Sequence, residues 1–178
     1  MTTLDLLAHP VRLRIVHAMA DGRTRTTAEL ADRVPGAHRA TVYRHVAALA
    51  EGGVLEVTDE RRVRGAVERH YRLRHDRAVI TPETAAAMSA DDHRRAFTAA
   101  MAVLLAEFDA YLDRDAPSPA GDEVGYRQHV LWLTPAERAD LIERMRAAIT
   151  PHLGNAPGDG RAPHLLSPIL FPTGEPAR

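Results

Sequence analysis

ATVYRHVAALAEGGVL, residues 40–55, is the stretch on which the reading of this chain turns. Val42, Val46 and Leu49 recur at i, i+4 and i+7, which is one face of a helix. Thr41, Tyr43 and Arg44 fall elsewhere on the wheel. Gly52-Gly53 stops the helix, and Val54-Leu55 opens a β-like segment. A short helix thus buries an aliphatic edge and carries a threonine, a tyrosine and an arginine near its exposed start.

Upstream, LDLLAHPVRLRIVHAMA (residues 4–20) reads as helix, with Pro10 starting a new helix or bending this one. Leu6, Leu7, Leu13, Val16 and Ala20 form its apolar face, and Asp21-Gly22 ends it. Thr26-Thr27-Ala28-Glu29 has capping-box spacing and opens a short helix whose apolar side is Leu30, Ala31 and Val34. Pro35-Gly36 stops that helix. Downstream, residues 54–60 and 66–73 are strand-like, joined by RRVRG at 61–65 with Gly65 suited to a turn. The expected form is a hairpin whose tip carries Arg61, Arg62 and Arg64.

Helix, short helix, turn, helix and basic hairpin make up the layout of a winged helix-turn-helix, predicted here over residues 1–80. A helix fits the major groove of DNA with its N-terminal residues on the base edges. Thr41, Tyr43 and Arg44 would face the groove, with His38 and Arg39 at the helix mouth. His45 would either touch DNA or fix the helix through a hydrogen bond. The arginines of the hairpin would reach phosphates or the minor groove.

LDLLAHPVRLRIVHAMADG, TTAELADRV, ATVYRHVAALAEGGVLEV and GAVERHYRL together resemble the ArsR-type winged-helix transcriptional regulators, and within them the subgroup with an extra C-terminal domain. The resemblance spans residues 4–73. It implies a homodimer that binds operator DNA and is released by an inducer. At the position of Tyr43 the family commonly has serine, so base preference does not carry over.

Residues 81–113 are predicted to be dimerisation helices. Thr81-Pro82 and Ser89-x-x-Asp92 are helix starts. Phe97, Met101, Leu104, Phe108 and Leu112 then recur at spacings of 4, 3, 4 and 4, and Leu105 widens the stripe. A long helix with so broad an apolar face needs a partner. Residues 114–123 read as a linker. The remainder of 114–178 is predicted to be a small strand–helix–strand unit, for oligomerisation or ligand sensing. Its strands are expected at 124–133 and 164–171, and its helix from Thr134, another capping box, to about Ile149. The expected fold class is α+β, mainly helical.

Composition narrows the function. Residues 1–80 hold 14 arginines against 10 acidic residues, and residues 81–178 hold 9 against 14, which favours a polyanion partner for the front half. All 23 basic residues are arginine, and cysteine is absent, which removes thiolate metal sites and disulfides. The zinc-sensing pattern that the ArsR-type resemblance implies would fall on Asp91, His93 and Glu107, but Leu104 stands where that pattern has a histidine, so no metal site is expected. No cofactor loop, nucleophile elbow or catalytic carboxylate pair is visible, so the chain is not expected to be an enzyme. No signal peptide is visible, and no apolar run reaches the roughly 18 residues of a membrane span. The expectation is a cytoplasmic homodimeric repressor that binds double-stranded operator DNA and answers to a non-metal small molecule. The alternatives are a winged-helix module that binds protein, or a zinc-responsive repressor.

Overall fold

Pro10 divides the first helical segment in two. A proline pushes the residue before it out of the helical region, and His9 is extended at φ −133 and ψ 122. The result is α1 (Thr3–Leu7) and α2 (Pro10–Ala18). This computed structural model describes residues 3–174 apart from Pro35, Arg64, Gly154, Ala156 and Asp159. Residues 1–115 form one compact unit and residues 116–178 a second.

In the first unit, strand β1 (Arg25–Thr26) leads directly into α3 (Thr27–Arg33). The Thr26 hydroxyl accepts from the Glu29 N–H, and the Glu29 carboxylate accepts from the Thr26 N–H, the capping box expected there. Helix α4 (Arg39–Glu51) follows, then a hairpin of β2 (Leu55–Val63) and β3 (Ala66–Leu73). The sheet has the order β1-β3-β2, all antiparallel. Thr58 is an extra residue in β2 where the register shifts between Val57 and Asp59, and its hydroxyl donates to the His70 carbonyl.

The hairpin is longer and tighter than the sequence suggests. β2 continues to Val63, which faces Ala66, so Arg61 and Arg62 are strand residues opposite Glu68 and Val67 rather than tip residues. Val63 and Val67 lengthen the ladder, and Gly65, at φ +86, supplies the left-handed turn. Arg64 lies outside the described residues.

The core gathers one edge from each element. Leu6, Ile15, Met19, Leu30, Val34, Val42, Val46, Leu49, Val54, Leu55, Tyr71 and Leu73 are all buried in it. The helix α4 edge inferred from the sequence, Val42, Val46 and Leu49, is 0–1% exposed. Beneath β1, the guanidinium of Arg25 forks onto both carboxylate oxygens of Asp21 at 2.6 and 2.5 Å. That closes the loop between α2 and β1 with a paired charge, the condition under which an arginine is buried at modest cost.

After a 3-10 turn at His75–Arg77 come α5 (Pro82–Ala86) and α6 (Ala90–Leu112), capped by Thr81 and by a Ser89–Asp92 capping box. α6 packs on α2 and α1. Its buried residues are Ala99 and Val103, a stripe on the opposite face from Phe97, Leu105 and Leu112, which stay 47%, 65% and 41% exposed. Met101, Leu104 and Phe108 are half-buried.

In the second unit, α7 (Pro135–Ile149) starts at the predicted Thr134–Glu137 capping box. The two expected strands do not form. Residues 124–133 and 164–171 carry no strand assignment, and their large side chains are exposed, Trp132 to 81%. A strand exists only as a member of a hydrogen-bonded ladder. Among the described residues neither segment has a ladder partner, and Pro168 removes a donor from the second.

Candidate nucleic-acid interface

The aliphatic edge of α4 is turned to the core, so its other face points outward by helical geometry. Ala40, Tyr43, Arg44 and Ala47 are exposed there, Tyr43 to 45%. Arg44 donates to the Thr41 hydroxyl at 3.3 Å, one helical turn back, which steadies the guanidinium toward the start of the helix. Thr41 is half-buried.

The residues at the mouth of α4 have structural tasks. His38 is the N-cap, and its Nδ1 accepts from the Ala40 N–H at 3.3 Å. Arg39 reaches back to α3, where it pairs with Asp32 at 3.1 Å and donates to the Ala28 carbonyl at 3.5 Å. Together these two set the angle between α3 and α4. The turn between those helices uses Gly36 at φ +79.

On the wing, arginines and carboxylates interleave. Arg61 pairs with Asp59 at 2.8 Å and holds that carboxyl below the usual range. Arg69 pairs with Glu60, and Arg72 with Glu56, both at 2.7 Å across the two strands. Such exposed pairs contribute little stability but neutralise charge locally. Arg62 is exposed and makes no ion pair among the described residues. Of the eight described candidates, Tyr43, Arg44 and Arg62 therefore stand outward without a carboxylate partner. Arg39 and Arg61 are engaged within the fold.

His45 sits on the flank of α4 against α2. Its ring packs against that of His9 with centroids 4.2 Å apart and planes tilted by 46°. Burial, then the neighbouring charges of His9, Arg12 and Arg44, push its pKa down to about 4. Burial and Arg12 lower His9 as well. The sequence reading passed over His9 and Arg12. Their signal was the His-Pro step, since an extended residue just before a helix-starting proline projects from the helix end.

The carboxylates weighed for zinc have other roles. Asp91 pairs with Arg94. Asp92 bonds Arg95, then Ser89, which together hold its carboxyl near a pKa of about 2. Glu107 accepts from Arg14 Nε at 3.1 Å, with the Arg14 side chain only 9% exposed. Among the described residues no three of His, Asp and Glu gather in a metal-sized cluster. No described helix is long and apolar enough to cross a membrane.

A family model described as a helix-turn-helix domain matches residues 7–58, from the end of α1 into β2. No curated protein matches the chain. With β2 and β3 completing the wing, the fold and the match together define a protein with an N-terminal helix-turn-helix domain, which points to a DNA-binding transcription regulator.

Proposed function

We propose that the chain is a sequence-specific, non-enzymatic, homodimeric repressor that binds double-stranded operator DNA through α4 and the wing. The observation that carries this reading is the outward pair of arginines, Arg44 and Arg62, that have no carboxylate partner among the described residues. Arg44 lies on the exposed face of α4, the second helix of the helix-turn-helix, and Arg62 lies on the wing strand that follows it. Arg44 and Tyr43 would read the groove, and Arg62 would hold a phosphate. A cytoplasmic location goes with this role.

The dimer is supported by α6. Its inner face is occupied by α2, while Leu105 and its stripe stay exposed on the far side. Two such copies would set their recognition helices about one DNA turn apart, roughly 34 Å. A non-metal small molecule would be the releasing signal, and a shallow cleft lined by Leu4, Thr84, Met88 and Arg95, between α1 and the α5–α6 segment, is where it would be looked for. The protein-binding alternative gains nothing from an outward face whose cations lack carboxylates.

The test is fluorescence-anisotropy binding to the DNA upstream of the protein's own coding region against scrambled DNA, at two salt concentrations. Arg62→Ala should weaken binding on both DNAs alike and lower the salt slope by about one. Arg44→Ala should cost about 1–3 kcal/mol on the preferred sequence alone. Absence of any DNA binding at low salt would refute the reading.

A further inference from the structure

The joint between α2 and α4 gathers cationic groups. His9 caps the start of α2 without a side-chain capping bond, and its Nδ1 is buried with no hydrogen-bond partner among the described residues. Arg12 lies one turn into α2. From α4, the His45 ring packs tilted against His9, and Arg44 precedes it on the same helix. The charges bearing on His45 are His9 and Arg12 from α2 and Arg44 from α4 itself. Among the described residues α3 and β2, which also pack on α4, contribute none. Arg12 bears on His9, and Asp5 on Arg12. Among the described residues no carboxylate bears on either ring.

Such a cluster disfavours charge on either ring, since burial and the guanidinium of Arg12 both oppose protonation there. An oxyanion would reverse that condition. The first turn of α2 also presents N–H groups and the positive end of a helix dipole to anything bound there. The DNA backbone is the available source, because His45 is one turn from Thr41 on the helix placed in the groove, and a phosphate flanks every base read there.

We propose that His9, Arg12 and His45 grip a backbone phosphate beside the groove, and that the grip takes up a proton from solvent onto the histidine pair. This rests on the DNA-binding reading above. Burial and the neighbouring guanidinium charge disfavour the charged imidazoles in the free protein, and a bound phosphate favours them. DNA affinity therefore rises as pH falls, in the window between the low pKa of the free protein and the higher one of the complex. Each proton taken up changes log K by about one per pH unit.

The experiment measures affinity of the full chain for its upstream DNA from pH 5.5 to 8 at constant ionic strength. Wild type, His45→Gln, His9→Asn and Arg62→Ala are compared, with folding of each checked by circular dichroism. Asparagine is a good N-cap, so His9→Asn keeps α2 capped even if His45→Gln loosens the joint. Affinity should rise about tenfold per pH unit over part of the range in wild type and in Arg62→Ala, and should flatten in either histidine variant. A flat wild-type profile, or equal slopes in all four proteins, would overturn the inference. A wild type that binds no DNA at any pH would instead remove the underlying reading. Histidine NMR titrations with inorganic phosphate and with DNA separate the sources. A response to phosphate alone would make this a free-anion site and overturn the DNA assignment.

Discussion

Gly52 and Gly53 end α4 for different physical reasons, and alanine at each position separates them. Gly52 has φ −79, open to any residue. A methyl group there would overlap Leu6 Cδ1 and lie 3.0 Å from Cδ2 and 3.1 Å from Cγ. Leu6 is 1% exposed, so its side chain has little room to retreat. Overpacking of this kind costs about 1–3 kcal/mol. Gly53 sits at φ +72 with nothing within 4 Å of such a methyl, so its penalty is backbone strain alone, about 1–2 kcal/mol. Urea denaturation of the full chain, followed by circular dichroism, should find both variants destabilised, and a double-mutant cycle tells them apart. Leu6→Ala alone costs about 2–5 kcal/mol. In that background Gly52→Ala should become nearly neutral, while Gly53→Ala should add its usual cost within about 0.5 kcal/mol. A Gly52→Ala penalty of the same size with and without the Leu6 side chain would refute the close-approach argument.

Two further outcomes follow from α6. Glu107→Ala leaves the Arg14 guanidinium buried without that carboxylate, and should cost about 1–3 kcal/mol in chemical denaturation; the double variant Arg14→Met/Glu107→Met should recover most of the loss. Leu105→Glu places a charge in the exposed stripe, so sedimentation equilibrium should show a wild-type dimer and a monomeric variant with an unchanged circular dichroism spectrum. A wild type that is already monomeric would count against the dimer.

The helices were legible because each announces its start chemically. Thr26, Ser89 and Thr134 each stand three residues before an acidic side chain, and each forms the expected capping box. The buried edge of α4 was legible from period alone, since Val42, Val46 and Leu49 can share only one face. What stayed hidden depends on partners distant in sequence. The Arg39–Asp32 and Arg14–Glu107 pairs join different helices, so no local spacing reveals that Arg39 braces α3. The hairpin turn was read too long because arginine in a β-ladder looks like arginine in a loop; the pairing of Arg61, Arg62 and Val63 with Glu68, Val67 and Ala66 shows the difference. At 124–133 and 164–171 the apolar pattern describes strand-forming potential, and a ladder also needs a neighbour. The stripe on α6 was read correctly as apolar. That the helix buries Ala99 and Val103 instead was concealed by the abundance of alanine around it.

α6 has 23 residues and is therefore about 34 Å long, close to one turn of DNA. One side of it holds α2 and the other carries the exposed stripe, so in the proposed dimer it acts as a lever with the DNA-reading unit mounted along it. Tilting a lever of that length by about 10° moves its far end by about 6 Å, half the width of a major groove. A ligand that wedges the cleft by an amount small against its own size would then suffice to put two recognition helices out of step with the duplex.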